Sequence, residues 1–395
     1  MARQNNMEDK QILVLGGTGH LGSTLIHHLV NDLHVAPGNI RVFYLKGSPA
    51  NALEDIPGLD FFEGNVLDKE DVQKACKGRQ IVFHLIGSTT FNPGLKKLQW
   101  LINVEGTRNV LDSVKDNPTF EKLCYVSTVN VLAPKLPRGT VAEIDECDPY
   151  KTSRRLHSFS SALEILSFAE KAKTANNDEW VKQIDIGYYD SKLAAQELVN
   201  DYVYRYNINA VSILPGTMFG ANDYLIGTGM YIISIYHGQM PATMPSGLPF
   251  THVLDVAEGM IQTIEQGRKG GMYILSGRPE DNRTLKDMAA IITEELQKYF
   301  PDKKFKAPTL VAPYPLVYMF AWIYEKVAAL FNINPVLNTQ AVKAGNHHWY
   351  FSHDKSGRDL GYTAKRSFRE AVHEMIEYYD KNKLFEVRER YIDKK

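Results

Sequence analysis

Residues 11–15 form a short apolar run of strand type that opens at once into Gly16-Gly17-Thr18-Gly19-His20-Leu21-Gly22, followed by a helix-like stretch over 23–30. Strand, glycine turn and helix in that order leave few folds open, because the combination begins a βαβ unit that cradles a pyrophosphate. Gly16 permits the tight turn, Gly19 lets the backbone approach a phosphate, and Gly22 allows close helix–strand packing. Thr18, His20 and Leu21 lie on the same loop, where the helix N-terminus faces the anion. The spacing is G-x-x-G-x-x-G.

The next apolar run, 40–45, should end beside the adenosine ribose of a dinucleotide. An acidic side chain there would bind a free 2′-hydroxyl; this chain has Lys46. A cation at that place favours a 2′-phosphate, so NADP(H) is preferred and NAD(H) is the second candidate. A third strand is expected to leave through Asn65 and Val66, with Asn65 accepting from the adenine amino group. Residues 81–86 read as a fourth strand in which His84 packs rather than reacts.

Far along the chain stands Tyr188-Tyr189-Asp190-Ser191-Lys192. Tyr188 and Lys192, four residues apart, project from one helix face one turn apart. A phenol titrates near ~10 and an ammonium near ~10.4, and a cation close to the phenol would stabilise the phenolate, making a proton donor usable near neutrality. Tyr189 lacks that register, since Leu193 follows it by four.

With these elements in place the chain resembles the extended short-chain dehydrogenase/reductases, over about residues 11–380. Asn103-Val-Glu-Gly106-Thr107-Arg-Asn109-Val-Leu111 is similar to that family's N-x-x-G-T-x-N-x-L helix, and Tyr125-Val-Ser127-Thr128 to its strand bearing the catalytic hydroxyl. Leu214-Pro215-Gly216-Thr217-Met218-Phe219-Gly220 resembles its segment beside the nicotinamide, with Leu214 where Arg is frequent. Residues 249–257, with His252 and Asp255, look like its return to the nucleotide domain. Residues 354–362 resemble an element of the dihydroflavonol reductase and 3β-hydroxysteroid dehydrogenase branch.

The resemblance implies an α/β protein: a Rossmann-type doubly wound parallel sheet with a smaller, mostly helical C-terminal substrate domain. It implies Thr128, Tyr188 and Lys192 as the catalytic set, Ser127 being the less favoured hydroxyl. It places Asn103, Pro215, Thr217 and Met218 in the cofactor set with the glycine loop, Lys46, Asn65, Val66, Tyr188 and Lys192. The reaction expected is hydride transfer between a ketone and a secondary alcohol. A sugar-nucleotide epimerase or dehydratase with tightly held NAD is the first rival, and a non-catalytic NADP(H)-sensing protein the second.

Expected boundaries are 8–221 with 250–277 for nucleotide binding, 222–249 with 278–384 for substrate, and a fraying charged tail over 385–395. Residues 150–187 interrupt the family pattern, and 161–170 within them read as an extra amphipathic helix. Forty-five basic and 46 acidic side chains nearly cancel, which gives no reason to expect nucleic acid as a partner. Three cysteines without C-x-x-C spacing suit a reducing, cytoplasmic setting. No paired histidine motif suggests a metal, and residues 1–10 are too polar for a signal peptide. The most lipid-like stretch, 310–331, is broken by Pro313, Pro315 and the Glu325-Lys326 pair. It is expected to wall an apolar substrate pocket, with peripheral membrane contact through 315–331 as the alternative. A small apolar substrate is the expected partner, and a homodimer is compatible with the chain.

Overall fold

The computed structural model describes residues 7–132, 141–144, 161, 162, 164, 166, 186–331 and 337–386. The first half alternates strands and helices: β1 (Ile12–Leu15), α1 (His20–Asn31), β2 (Ile40–Tyr44), β3 (Asp60–Glu63), α2 (Lys69–Cys76), β4 (Ile81–His84), α3 (Lys96–Trp100), α4 (Gly106–Lys115) and β5 (Lys122–Val126). Next come β6 (Val141–Ile144), α5 (Gly187–Tyr206), β7 (Ala210–Pro215), β8 (Thr217–Phe219), α6 (Met230–Tyr236), β9 (Ala242–Thr243), β10 (Gly247–His252), α7 (Val253–Gln266) and β11 (Met272–Leu275). The remainder is β12 (Asn282–Thr284), α8 (Leu285–Tyr299), β13 (Leu310–Val311), α9 (Tyr314–Leu330), α10 (Thr339–Ala344), β14 (His348–Phe351), α11 (Asp354–Leu360) and α12 (Phe368–Lys381).

Seven strands form one parallel sheet in the order β11-β7-β5-β4-β1-β2-β3. Both faces are covered, which is why β1 and β4 are buried along their whole length and read as unbroken apolar runs. Alternate residues of β1 feed opposite layers. Ile12 and Val14 pack with Leu25 and Ile26 of α1 and Val256 and Met260 of α7, while Leu13 and Leu15 pack with Val110 of α4 and Ala194 and Leu198 of α5. The strand order reverses direction between β1 and β4, so their carboxyl ends open the crevice where open α/β sheets bind ligands.

A second core gathers Phe219, Phe250, Met288, Ile292, Phe368 and Tyr379 from the later elements. Beside it runs a smaller sheet ordered β12-β10-β14-β6, with β8 also paired to β10. The division between cores departs from the expected boundaries: Leu360, Tyr362 and Ala364 pack with the nucleotide-side layer, and Tyr362 donates to Ser276 O at 3.0 Å. A fraying tail beginning at 385 is also corrected. Phe385 is buried and stacks on Tyr236 with ring centroids 4.2 Å apart, so aromatic burial carries the packed chain past 384.

Most of the 150–187 insertion lies outside the described residues. From the stretch expected to be an amphipathic helix, Ala162 and Leu166 are buried in the layer that holds Trp100 and Val104, and Ala162 N donates to Glu105 Oε2 at 3.0 Å.

Candidate active site

At the end of β1 the chain turns on Gly16, whose φ is +88°, a left-handed conformation that L side chains avoid. Gly22 is needed for packing, although against the turn rather than a strand: a Cβ there would stand 2.3 Å from Gly16 O and 2.8 Å from Gly17 Cα. Helix–strand contact falls instead to Gly17, where an added Cβ would lie 2.7 Å from Val42 Cγ1 of β2. Gly19 differs, since its Cβ would approach only Gly16 O, at 3.4 Å. It precedes α1 as an N-cap without a side-chain hydrogen bond, so first-turn amides are presented on an open surface, as a pyrophosphate requires. Thr18 is buried in the loop and Leu21 in the core. His20 lies against Gly220, Ala221 and Asp223, and burial lowers its pKa.

Across the crevice, the ends of β4 and β5 meet the first turns of α5. Lys192 is buried, and its Nζ donates to Tyr125 Oη at 2.9 Å and to Val126 O at 2.7 Å. An ammonium has three donors, so one remains for a ligand beside Gly87, where an added Cβ would sit 3.7 Å from Nζ. Desolvation lowers the Lys192 pKa to about 7. Tyr188 keeps partial exposure, while burial of its hydroxyl raises the pKa to about 12 against the opposing effect of Thr128. Thr128 Oγ1 accepts from Asn130 N at 3.3 Å and Asn130 Nδ2 at 3.2 Å, which fills its acceptor sites and leaves its own hydrogen to be donated elsewhere. Ser127 Oγ is buried and has no hydrogen-bond partner among the described residues.

The phenol that holds Lys192 is Tyr125, a contact absent from the sequence reading. Strand register explains it: Tyr125 and Ser127 share one face of the extended chain and Thr128 the other. Behind Tyr125 the network continues through Thr107, whose Oγ1 lies 3.0 Å from His84 Nε2 and donates to Asn103 O at 2.7 Å. Burial, then the nearby Lys192 cation, lowers the His84 pKa to about 3, so it packs as a neutral ring.

Asn103 sits in a π-helical turn, Leu101–Glu105, a distortion frequent at functional sites. Its Oδ1 accepts from Ser88 N at 2.7 Å, and its Nδ2 donates to Ser88 O at 3.1 Å and Ser191 Oγ at 2.9 Å. The residue therefore clamps the exit of β4 to α5. Sequence alone placed Asn103 near the cofactor but could not supply these partners, which are 15 and 88 residues away.

Lys46 is exposed beyond β2, with Nζ 3.9 Å from Glu63 Oε1. Asn65 Oδ1 accepts from Leu67 N at 3.0 Å, a turn contact that occupies the atom expected to meet adenine. Val66 is buried beneath it, and Val66 O accepts from Asn109 Nδ2 at 3.0 Å. Pro215 ends β7, and half-buried Thr217 and Met218 pair with Thr251 and the neighbouring residues of β10. Gly216 lets these strands approach, as its Cβ would lie 2.6 Å from Pro249 O.

The large side chains of 315–331, expected to wall a pocket, mostly turn outward, and most of the 150–187 insertion expected beside them lies outside the described residues. Ala321 and Ala328 face inward, Tyr318 and Tyr324 are half-buried, and Leu316, Met319, Phe320 and Trp322 face outward. Small side chains let α10 come close. Beside Tyr188, apolar surface comes from the half-buried Phe91, whose ring lies 5.8 Å from that of Tyr188 and 6.0 Å from that of Tyr189, while Tyr189 and Trp349, 6.2 Å apart, are buried behind. No group of three or more His, Cys, Asp or Glu suited to a metal occurs among the described residues.

Comparison with known proteins finds the model of the 3-beta hydroxysteroid dehydrogenase/isomerase family matching residues 13–190 and that of the NAD dependent epimerase/dehydratase family matching 150–276. A Synechocystis protein named "Putative dihydroflavonol 4-reductase" is 26% identical over 368 residues, covering 91% of this chain and 93% of its own. Short-chain dehydrogenase/reductase family 42E member 1 of Homo sapiens is 26% identical over 378 residues, 91% of this chain and 85% of that protein. The solved structure of gox2253 superimposes with a TM-score of 0.70 at 25% identity, covering 95% of this chain and 99% of the other.

Proposed function

Because the chain belongs to the extended short-chain dehydrogenase/reductases, a family of NAD(P)-dependent enzymes, we propose that it interconverts a ketone and a secondary alcohol on an apolar, steroid-, flavonoid- or lipid-like molecule, using NADP(H). The convergence of Thr128, Tyr188 and Lys192 at the strand ends facing the glycine loop carries this reading. The nicotinamide, when bound, supplies or takes up the hydride. Tyr188 holds its proton throughout the neutral range, with its pKa near 12, and gives it to the carbonyl oxygen as the alcohol forms. Thr128 donates to the same oxygen as charge develops there. Lys192 gives two donors to Tyr125 and Val126, and its third would be left to hold the nicotinamide ribose. Gly16, Gly19 and the amides of α1 hold the pyrophosphate.

Lys46 supports NADP(H), since a solvent-facing cation held only loosely by Glu63 is available to a 2′-phosphate. The half-buried Phe91 ring, 5.8 Å from that of Tyr188, supports an apolar substrate. So does the resemblance to a relative named for dihydroflavonol reduction. The epimerase/dehydratase match over 150–276 favours a second reading, a sugar-nucleotide enzyme that retains NAD.

The test is oxidation of NADPH or NADH by the purified chain across steroid, flavonoid and lipid ketones. NADPH-dependent turnover is expected, falling at least ~10²-fold in Tyr188→Phe. Lys46→Asp should shift preference toward NADH by about tenfold, equivalent to ~1.4 kcal/mol. Near-normal turnover by Tyr188→Phe would remove the phenol from the reaction. A wild-type preference for NADH would overturn the cofactor assignment, and NAD released only on denaturation, with turnover of nucleotide sugars alone, would establish the second reading.

A further inference from the structure

Helix α9 is amphipathic in reverse. Its inward face carries Ala321, fully buried, and Ala328, 1% exposed, whereas Leu316, Phe320, Ile323, Val327 and Leu330 form one outward stripe at helical spacing, with Phe320 62% and Leu330 82% exposed. A surface helix normally buries such a stripe. Leu310 and Val311 of the adjoining β13 are exposed as well, so the uncovered apolar surface is continuous. A patch of this kind marks a site of contact.

The charges beside it select the partner. From 302 to 331 the chain has four lysines, Lys303, Lys304, Lys306 and Lys326, against two carboxylates, Asp302 and Glu325. Glu325 is turned away from the stripe, accepting from Thr339 N at 2.7 Å and Thr339 Oγ1 at 3.0 Å. All four lysines are exposed, and Lys326 Nζ lies 5.9 Å from the centre of the Trp322 ring. Apolar side chains bounded by cations and an aromatic ring match the acyl boundary and anionic headgroups of a bilayer. A second copy of the chain would bring like charges together at the rim.

We propose that α9 is a monotopic docking helix that lies in the surface of an anionic lipid bilayer. Its 17 residues fall short of the ~20 needed to span, and no helix among the described residues is long and apolar enough to cross a membrane. Docking places the lipid surface near the catalytic helix. Glu325 of α9 is bound to Thr339 of α10, and the next residue, Gln340, accepts from Gly187 N at 3.2 Å, immediately before Tyr188. The inference stands apart from the proposed reaction and does not depend on it.

Flotation of the full chain with phosphatidylcholine vesicles, with and without phosphatidylglycerol, tests it. The wild type should rise with the vesicles, more strongly with phosphatidylglycerol, and the Trp322 contribution to emission should shift to the blue, read against Trp322→Phe. Leu316→Glu with Phe320→Glu should lower partitioning at least about tenfold at an unchanged melting temperature, because both side chains are exposed in the fold. Lys304→Gln with Lys306→Gln should reduce the preference for phosphatidylglycerol. Failure of the wild type to associate with either vesicle would overturn the proposal. So would a dimer in lipid-free buffer that the double Glu variant dissociates, since a second copy would then cover the face.

Discussion

The surroundings of Lys192 change its chemistry. Burial lowers its pKa from an ordinary 10.5 to about 7, so the folded chain binds this proton less tightly than the unfolded chain does. Between those two values the unfolded state is protonated at this site and the native state is not, and stability must rise with pH, by up to ~1.4 kcal/mol per unit. Below about 7 both states carry the proton and the contribution is flat. Denaturant melts of the cofactor-free wild type should therefore gain on Lys192→Met from pH 7 upward, and a pH-independent difference would show that the lysine is not desolvated. Tyr125 modifies the same site: its hydroxyl and Val126 O orient the ammonium before any ligand arrives.

Among the elements, the π-helical turn at Leu101–Glu105 joins fold to site. The extra residue in that turn brings Asn103 inward, where it bonds Ser88 on one side and Ser191 of α5 on the other. Asn103→Ala would leave Ser88 N without its partner in a half-buried place, while Ser88 O keeps the bond from Gln99 Nε2 at 3.2 Å. An unmade hydrogen bond costs ~1–3 kcal/mol, so a loss of that size in thermal or denaturant unfolding is expected, with turnover falling further than stability predicts. Asn103→Asp should restore part of the Ser88 N contact. An Ala variant with wild-type stability and turnover would reduce the turn to a local irregularity.

At the scale of the whole molecule, Asp255 at the start of α7 holds the two cores together. It is fully buried, and its carboxylate accepts from Lys365 N and Arg366 N at 3.0 Å each and from the Arg366 guanidinium. Those two residues lead directly into α12 of the second core. Removing the carboxylate leaves the Lys365 and Arg366 amides unpaired, at ~1–3 kcal/mol each, while the Arg366 guanidinium keeps Glu258 Oε1 at 2.9 Å. Asp255→Ala should lower the melting temperature more than Glu258→Ala, whose carboxylate meets Lys365 and Arg366 nearer the surface. Equal effects would mean that the deep contact adds nothing.

Local chemistry determined a large part of this protein. Gly16 turns the chain where its spacing places it, the buried strands follow from unbroken apolar runs, and Tyr188 and Lys192 share a helix face because α-helical geometry requires it. These features depend on neighbours within a few residues, and the chain states them directly. Tertiary structure decided what depends on distant partners. Tyr125 reaches Lys192 across 67 residues and Asn103 reaches Ser191 across 88, pairings that no local pattern encodes. It also decided which face of α9 turns inward: the apolar residues are so numerous that periodicity leaves two stripes available, and close approach of α10 selects the stripe of small alanines.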